Sequence, residues 1–84
     1  MLTIWKYPLT LRGLTIDMPA GATILTVQLQ DETPTIWALV DPDRPCETRT
    51  FTIVGTGHRV PDGLGYVGTF QQPPFVWHLF EVPR

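Results

Sequence analysis

Thr23-Ile24-Leu25-Thr26-Val27-Gln28-Leu29-Gln30, followed by Asp31-Glu32-Thr33-Pro34 and then Thr35-Ile36-Trp37-Ala38-Leu39-Val40, decides the fold class. In the first segment Leu25, Val27 and Leu29 share one parity while Thr26, Gln28 and Gln30 share the other. That period of two is the mark of a half-buried strand. The four residues that follow are polar and end in proline, a short connection suited to a hairpin. The return segment is rich in β-branched and aromatic residues, so it predicts a second strand.

The same grammar runs outward in both directions. Nine prolines and seven glycines punctuate the 84 residues every few positions, and no gap between them holds an apolar pattern of helical period. Between these breakers the chain predicts strands over Leu2–Tyr7, Leu14–Met18, Thr23–Gln30, Thr35–Val40, Thr48–Val54, Tyr66–Phe70 and Phe75–Val82. Met18-Pro19-Ala20-Gly21 reads as a turn, and Asp41-Pro42-Asp43-Arg44-Pro45 opens a longer loop. The expected architecture is all-β: a single small domain, residues 1–84, of about seven short antiparallel strands in a sandwich or small open barrel.

Composition narrows the function classes. A chain of 84 residues leaves room for one domain, and 43% hydrophobic with 17% charged residues is too apolar for a disordered segment. A net charge of -2, with Lys6, Arg12, Arg44, Arg49, Arg59 and Arg84 scattered, argues against general nucleic-acid binding. The longest apolar run, Ile36 to Val40, is far too short to span a membrane as a helix. The N-terminus shows no signal-peptide pattern and Cys46 is the only cysteine, so a cytoplasmic setting is expected.

Catalytic patterns are thin. The chain has no serine, which removes every serine-hydrolase arrangement. Cys46 precedes Glu47, whose charge raises rather than lowers a thiol pKa. The carboxylate pairs Asp41/Asp43 and Asp31/Glu32 occupy turns, where Asp bonds the local backbone. His58 and His78, with Asp62 or Glu81, lack any local metal-ligand spacing. No enzyme activity, metal or cofactor is expected.

Two regions are candidate surfaces. Gly55 to Gly68 holds five of the seven glycines, and Thr56, Gly57, His58 and Arg59 within it suit an anion held by backbone amides and side-chain donors. No helix follows, so this is not a dinucleotide fingerprint; the competing reading is a plain glycine-bearing connection. Strands four and seven carry apolar residues on both parities, with Trp37, Trp77 and Phe80 the largest. So small a sandwich does not easily cover both, which points to a homodimer or higher homo-oligomer, or to a partner surface; the competing reading makes them central strands covered by the N-terminal arm and loops. Leu25, Val27, Leu29, Phe51 and Ile53 are the expected core.

Trp5-Lys6-Tyr7-Pro8-Leu9, Met18-Pro19-Ala20-Gly21-Ala22, Trp37-Ala38-Leu39-Val40-Asp41-Pro42, Phe51 to His58 ending Gly-Thr-Gly-His, and Val76-Trp77-His78-Leu79-Phe80-Glu81 carry a resemblance over nearly the whole chain. The sequence resembles a family of short uncharacterised proteins encoded by bacteriophages and prophages. The span of the resemblance implies that the 84 residues are the complete protein. The setting implies a non-enzymatic accessory protein in the cytoplasm of the bacterial host. Such a protein acts by binding: it blocks a host defence protein or sequesters a small anionic signal such as a nucleotide. The alternative is a structural or assembly component of the virion.

Overall fold

The structure, a computed structural model, describes residues 1–10 and 14–84. Seven strands follow in order: β1 Thr3–Pro8, β2 Thr15–Pro19, β3 Thr23–Gln30, β4 Thr33–Val40, β5 Cys46–Gly55, β6 Gly65–Gln72 and β7 Phe75–Glu81. They form two antiparallel sheets, one of order β1-β4-β3 and one of order β2-β5-β7-β6. The all-β reading and its seven strands are therefore correct, and the sheets stack as two layers without closing into a barrel.

The β3–β4 hairpin is tighter than the sequence suggests. Gln30 pairs with Thr33, so the turn is Asp31-Glu32 alone, and Thr33 and Pro34 already belong to β4. Both turn residues have positive φ, 49° and 67°, as a two-residue hairpin of the favoured hand requires. That conformation suits Asn-Gly best, and the chain contains no asparagine. A second tight hairpin joins β6 to β7 through Pro73-Pro74, with Gln72 opposite Phe75.

The core lies between the sheets. Ile36, Ala38 and Val40 of β4 are fully buried and face Met18, Phe51, Phe70 and Leu79 in one cluster. Val27 and Phe51 are buried as expected; Leu29 and Ile53 are half-buried and pack against the same cluster. Leu25 is a correction: it stays 48% exposed. The ladder between β3 and β4 slips there, pairing Ile24 with Ala38 and then Thr26 with Trp37. Leu25 is the extra residue of a β-bulge, so the inward parity passes from Ile24 directly to Val27.

A matching irregularity in β6 between Tyr66 and Gly68 bends the facing edge. Gly68 then meets β3 so closely that a Cβ there would stand 2.9 Å from Val27 Cγ1. Only glycine permits that approach. It brings β3 and β6, at the edges of the two sheets, into contact and leaves β1 and β2 as the edges on the far side.

Candidate functional site

Strand parity divides the four-stranded sheet into two chemistries. Trp77, Leu79 and Glu81 of β7 pair with Gly55, Ile53 and Phe51 of β5 and turn toward the core. His78 and Phe80 pair with Val54 and Thr52 and turn outward. Threonines populate this outer face: Thr15 lies opposite Thr50, with their hydroxyls 3.4 Å apart, and Thr48 Oγ1 donates to Asp17 Oδ1 at 2.7 Å.

His78 organises the centre of that face. Its Nδ1 lies 2.9 Å from Thr69 Oγ1, which lies 2.6 Å from the Tyr66 hydroxyl. Its Nε2 lies 2.8 Å from Thr56 Oγ1, and the Thr56 hydroxyl donates to the Val76 carbonyl at 3.2 Å. Thr56 Oγ1, having given its proton to that carbonyl, accepts from Nε2–H. With Thr69 at Nδ1, neither ring nitrogen of His78 is free. Tyr66 stands at the end of the row, 63% exposed, with its ring edge-on to Phe80 at 5.6 Å between centroids.

The loop residues Thr56, Gly57, His58 and Arg59 all lie at the surface just beyond β5. Gly57 takes φ +88°, the turn conformation that favours glycine. Three of the donors expected to meet an anion are engaged within the fold. Thr56 N–H donates to the Val76 carbonyl, His58 N–H donates to the Gly55 carbonyl, and the Thr56 hydroxyl is spent as described. The His58 ring rests over Gly55 beside Trp77, because a Cβ on Gly55 would lie 3.2 Å from both rings. His58 and His78 therefore sit on opposite faces of the sheet. Among the described residues no group of three or more His, Cys, Asp or Glu could hold a metal ion.

Trp37, Trp77 and Phe80 do not share a surface. Trp37 belongs to the outer face of the three-stranded sheet, Phe80 to the outer face of the four-stranded sheet, and Trp77 to the inter-sheet side. Trp77 lines a cleft of about 660 Å³ at the open end of the sandwich, together with Leu9, Leu14, Ile53, Phe70 and Gln72. Its ring packs against Phe75 at 5.3 Å.

One polar cluster escapes sequence reading altogether. Arg49 is only 5% exposed, on the inward parity of β5 beside Phe51. Its Nε and Nη2 donate to the two carboxylate oxygens of Glu81 at 2.6 and 2.7 Å, and Nη1 donates to the Ala22 carbonyl at 2.5 Å. Hydrogen bonding to Glu81 holds the guanidinium pKa above its ordinary value, while burial pulls the other way. This clasp joins β5, β7 and the start of β3, so it ties one sheet to the other. A second pair, Arg84 with Glu47, lies at the surface; the Gly21 N–H is the main cause holding the Glu47 carboxyl below its usual range.

Fold and surfaces together define a small two-sheet β domain whose four-stranded sheet presents hydroxyl, imidazole and aromatic groups and whose β1 edge presents apolar ones. The chain belongs to the family described as a domain of unknown function (DUF7352), whose model matches residues 1–84. No curated protein and no solved structure matches it.

Proposed function

We propose that this protein acts by binding rather than by catalysis, and that it binds a protein of a bacterial host in a phage or prophage setting, within the host cytoplasm. One observation carries the reading: the rigid, solvent-facing row Tyr66–Thr69–His78–Thr56 on the outer face of the four-stranded sheet. Both ring nitrogens of His78 are used in holding neighbours, so the row presents a fixed surface rather than a free base. Tyrosine beside a second aromatic ring, framed by satisfied hydroxyls, is the composition of an interface centre. A host defence protein is the target class that the resemblance suggests.

A small anion is less well served. The Thr56–Arg59 turn keeps the Arg59 side chain available but has spent the Thr56 hydroxyl and two of its amides. Neither the inter-sheet cleft nor the shallow cleft beside Arg49 and Glu81 is lined by these residues.

Affinity capture from infected cells, comparing the wild type with Tyr66→Ala, tests the proposal. A centre residue worth about 2 kcal/mol or more predicts roughly a thirtyfold loss of the captured host protein. Equal capture by both forms overturns the assignment of the face. Stoichiometric recovery of the chain in purified virions, or nucleotide binding abolished by Arg59→Ala, overturns the choice of partner.

A further inference from the structure

We infer that two copies of this chain pair through the free edge of β1, joining their three-stranded sheets into one continuous six-stranded sheet. The inference is independent of the proposal for the four-stranded sheet, which lies on the other side of the molecule.

The hydrogen-bond phase of β1 fixes which groups are free. Leu9 N–H donates to the Pro34 carbonyl at 2.8 Å, one step beyond the Pro8–Thr35 pair. Hydrogen-bonded and non-bonded pairs alternate along an antiparallel ladder. Tyr7, Trp5 and Thr3 therefore bond to β4, and the backbone groups of Leu2, Ile4 and Lys6 point outward along the open edge. Pro8, at the end of that row, has no N–H to offer.

An open edge is normally protected, because its unpaired N–H and C=O groups template pairing with another chain. The edge of β2 has such protection: it is five residues long and carries Asp17 and Pro19. The edge of β3 lies against β6. Among the described residues, β1 has no guard along Leu2–Lys6, its proline lying only at the end of the strand. Its one charged side chain, Lys6, is drawn back across β4, where Nζ donates to Gln30 Oε1 at 2.8 Å. What remains along the edge is apolar, with Leu2 60%, Ile4 56% and Trp5 43% exposed.

The edge is complementary to itself, which argues for a second copy as the occupant, and the chain has surface to spare. A compact monomer of this mass exposes roughly 5,000 Å², whereas this chain exposes 5658 Å². The surplus, on the order of 600 Å², approaches the 800 Å² or so that each partner gives to a standard interface. The radius of gyration, 13.0 Å, likewise exceeds the roughly 12 Å of a compact domain of this length.

The pairing has one best register. A two-fold axis through Ile4 sets Ile4 against Ile4 of the second copy and Leu2 against its Lys6. All three free residues then give and take bonds, about six in total. An axis through Trp5 would oppose Leu2 to Pro8 and lose donors. With the axis at Ile4, the cross-strand pair Ile4–Leu39 of each copy meets its counterpart. An apolar row of four, Leu39–Ile4–Ile4–Leu39, then crosses the seam and ends at Thr23 on each side.

Sedimentation equilibrium at tens of micromolar should give twice the 9.5 kDa of one chain. Ile4→Lys, which sets two ammonium groups on the axis, should return the mass to that of a monomer that keeps the far-ultraviolet circular dichroism of the wild type. Tyr66→Ala, on the other sheet, should leave the dimer intact. In a Cys46→Ala background, Ile4→Cys should be joined nearly completely by a short thiol-to-thiol cross-linker, because such paired Cα atoms stand about 5.5 Å apart. The inference is overturned by a monomeric wild type, by a dimer that survives Ile4→Lys, or by Ile4→Cys failing to cross-link. Should Ile4→Lys unfold the chain, the cross-link decides.

Discussion

The two sheets differ in how their outer faces are finished. The four-stranded sheet is closed by polar side chains that bond one another: the threonine pairs over β2 and β5, and the Thr56–His78–Thr69–Tyr66 row over β7 and β6. The three-stranded sheet has Leu2, Ile4, Trp37 and Leu39 on the outer face toward β1, with Lys6 reaching across to Gln30, and places Thr23, Thr26, Gln28 and Gln30 on the same face toward β3. The inner faces show a parallel difference. The four-stranded sheet places a charge pair among its apolar side chains, whereas the three-stranded sheet gives Ile36, Ala38 and Val40 to the core, all fully buried. Polar bonding specifies geometry, and apolar surface supplies association energy without fixing register. One sheet is thus built as a finished surface and the other as half of one.

Three substitutions test that contrast, the first with the largest expected effect. Glu81→Gln leaves the buried Arg49 guanidinium without its carboxylate, and chemical denaturation should show a loss of about 3 kcal/mol. The paired replacement Arg49→Met with Glu81→Leu should recover most of it, since no uncompensated charge is left. A loss under about 1 kcal/mol for Glu81→Gln would mean that the clasp does not hold the sheets in place.

Gly68→Ala tests the line where the sheets meet. Its Cβ would enter the space of Val27 Cγ1, and that β-branched side chain is stiff, so thermal or denaturant unfolding should report a loss of roughly 1–3 kcal/mol. Unchanged stability would show that the two edges can separate freely. Glu32→Gly acts within the three-stranded sheet alone. It relieves a side chain held at φ 67° in the hairpin turn, and stability should rise by about 1 kcal/mol. A loss instead would show that the Glu32 side chain contributes more than its backbone conformation costs.

Much of this architecture was legible in the residues. Alternation between breakers placed all seven strands, with most boundaries within two residues of those observed, because each strand's exposure pattern is a local property. What failed was whatever depends on a neighbouring strand. Leu25 has the parity of Val27, and only the slip of the ladder beside Trp37 removes it from the core. Arg49 shares its parity with Phe51 and Ile53, and Glu81 shares its own with Trp77 and Leu79. Their pairing becomes visible only when β5 is known to lie beside β7, a contact across 32 residues of sequence. The same holds for His78, whose partners Thr56 and Thr69 come from two other segments. The glycine-rich stretch drew notice as a loop, yet Gly68 matters as a point of close approach inside a strand.

The three tryptophans give this molecule a built-in set of optical reporters. Trp5 stands in the open beside the β1 edge, Trp37 lies half-buried on the outer face of the same sheet, and Trp77 sits in the inter-sheet cleft against Phe75. Each ring has different neighbours, and Trp5 is the most exposed, so each emits and is quenched in its own way. Replacing two of the three by Phe leaves one lamp lit at the edge, on the face or inside the cleft. The spectrum of each such variant then reports, without any label, which part of the molecule a partner has reached.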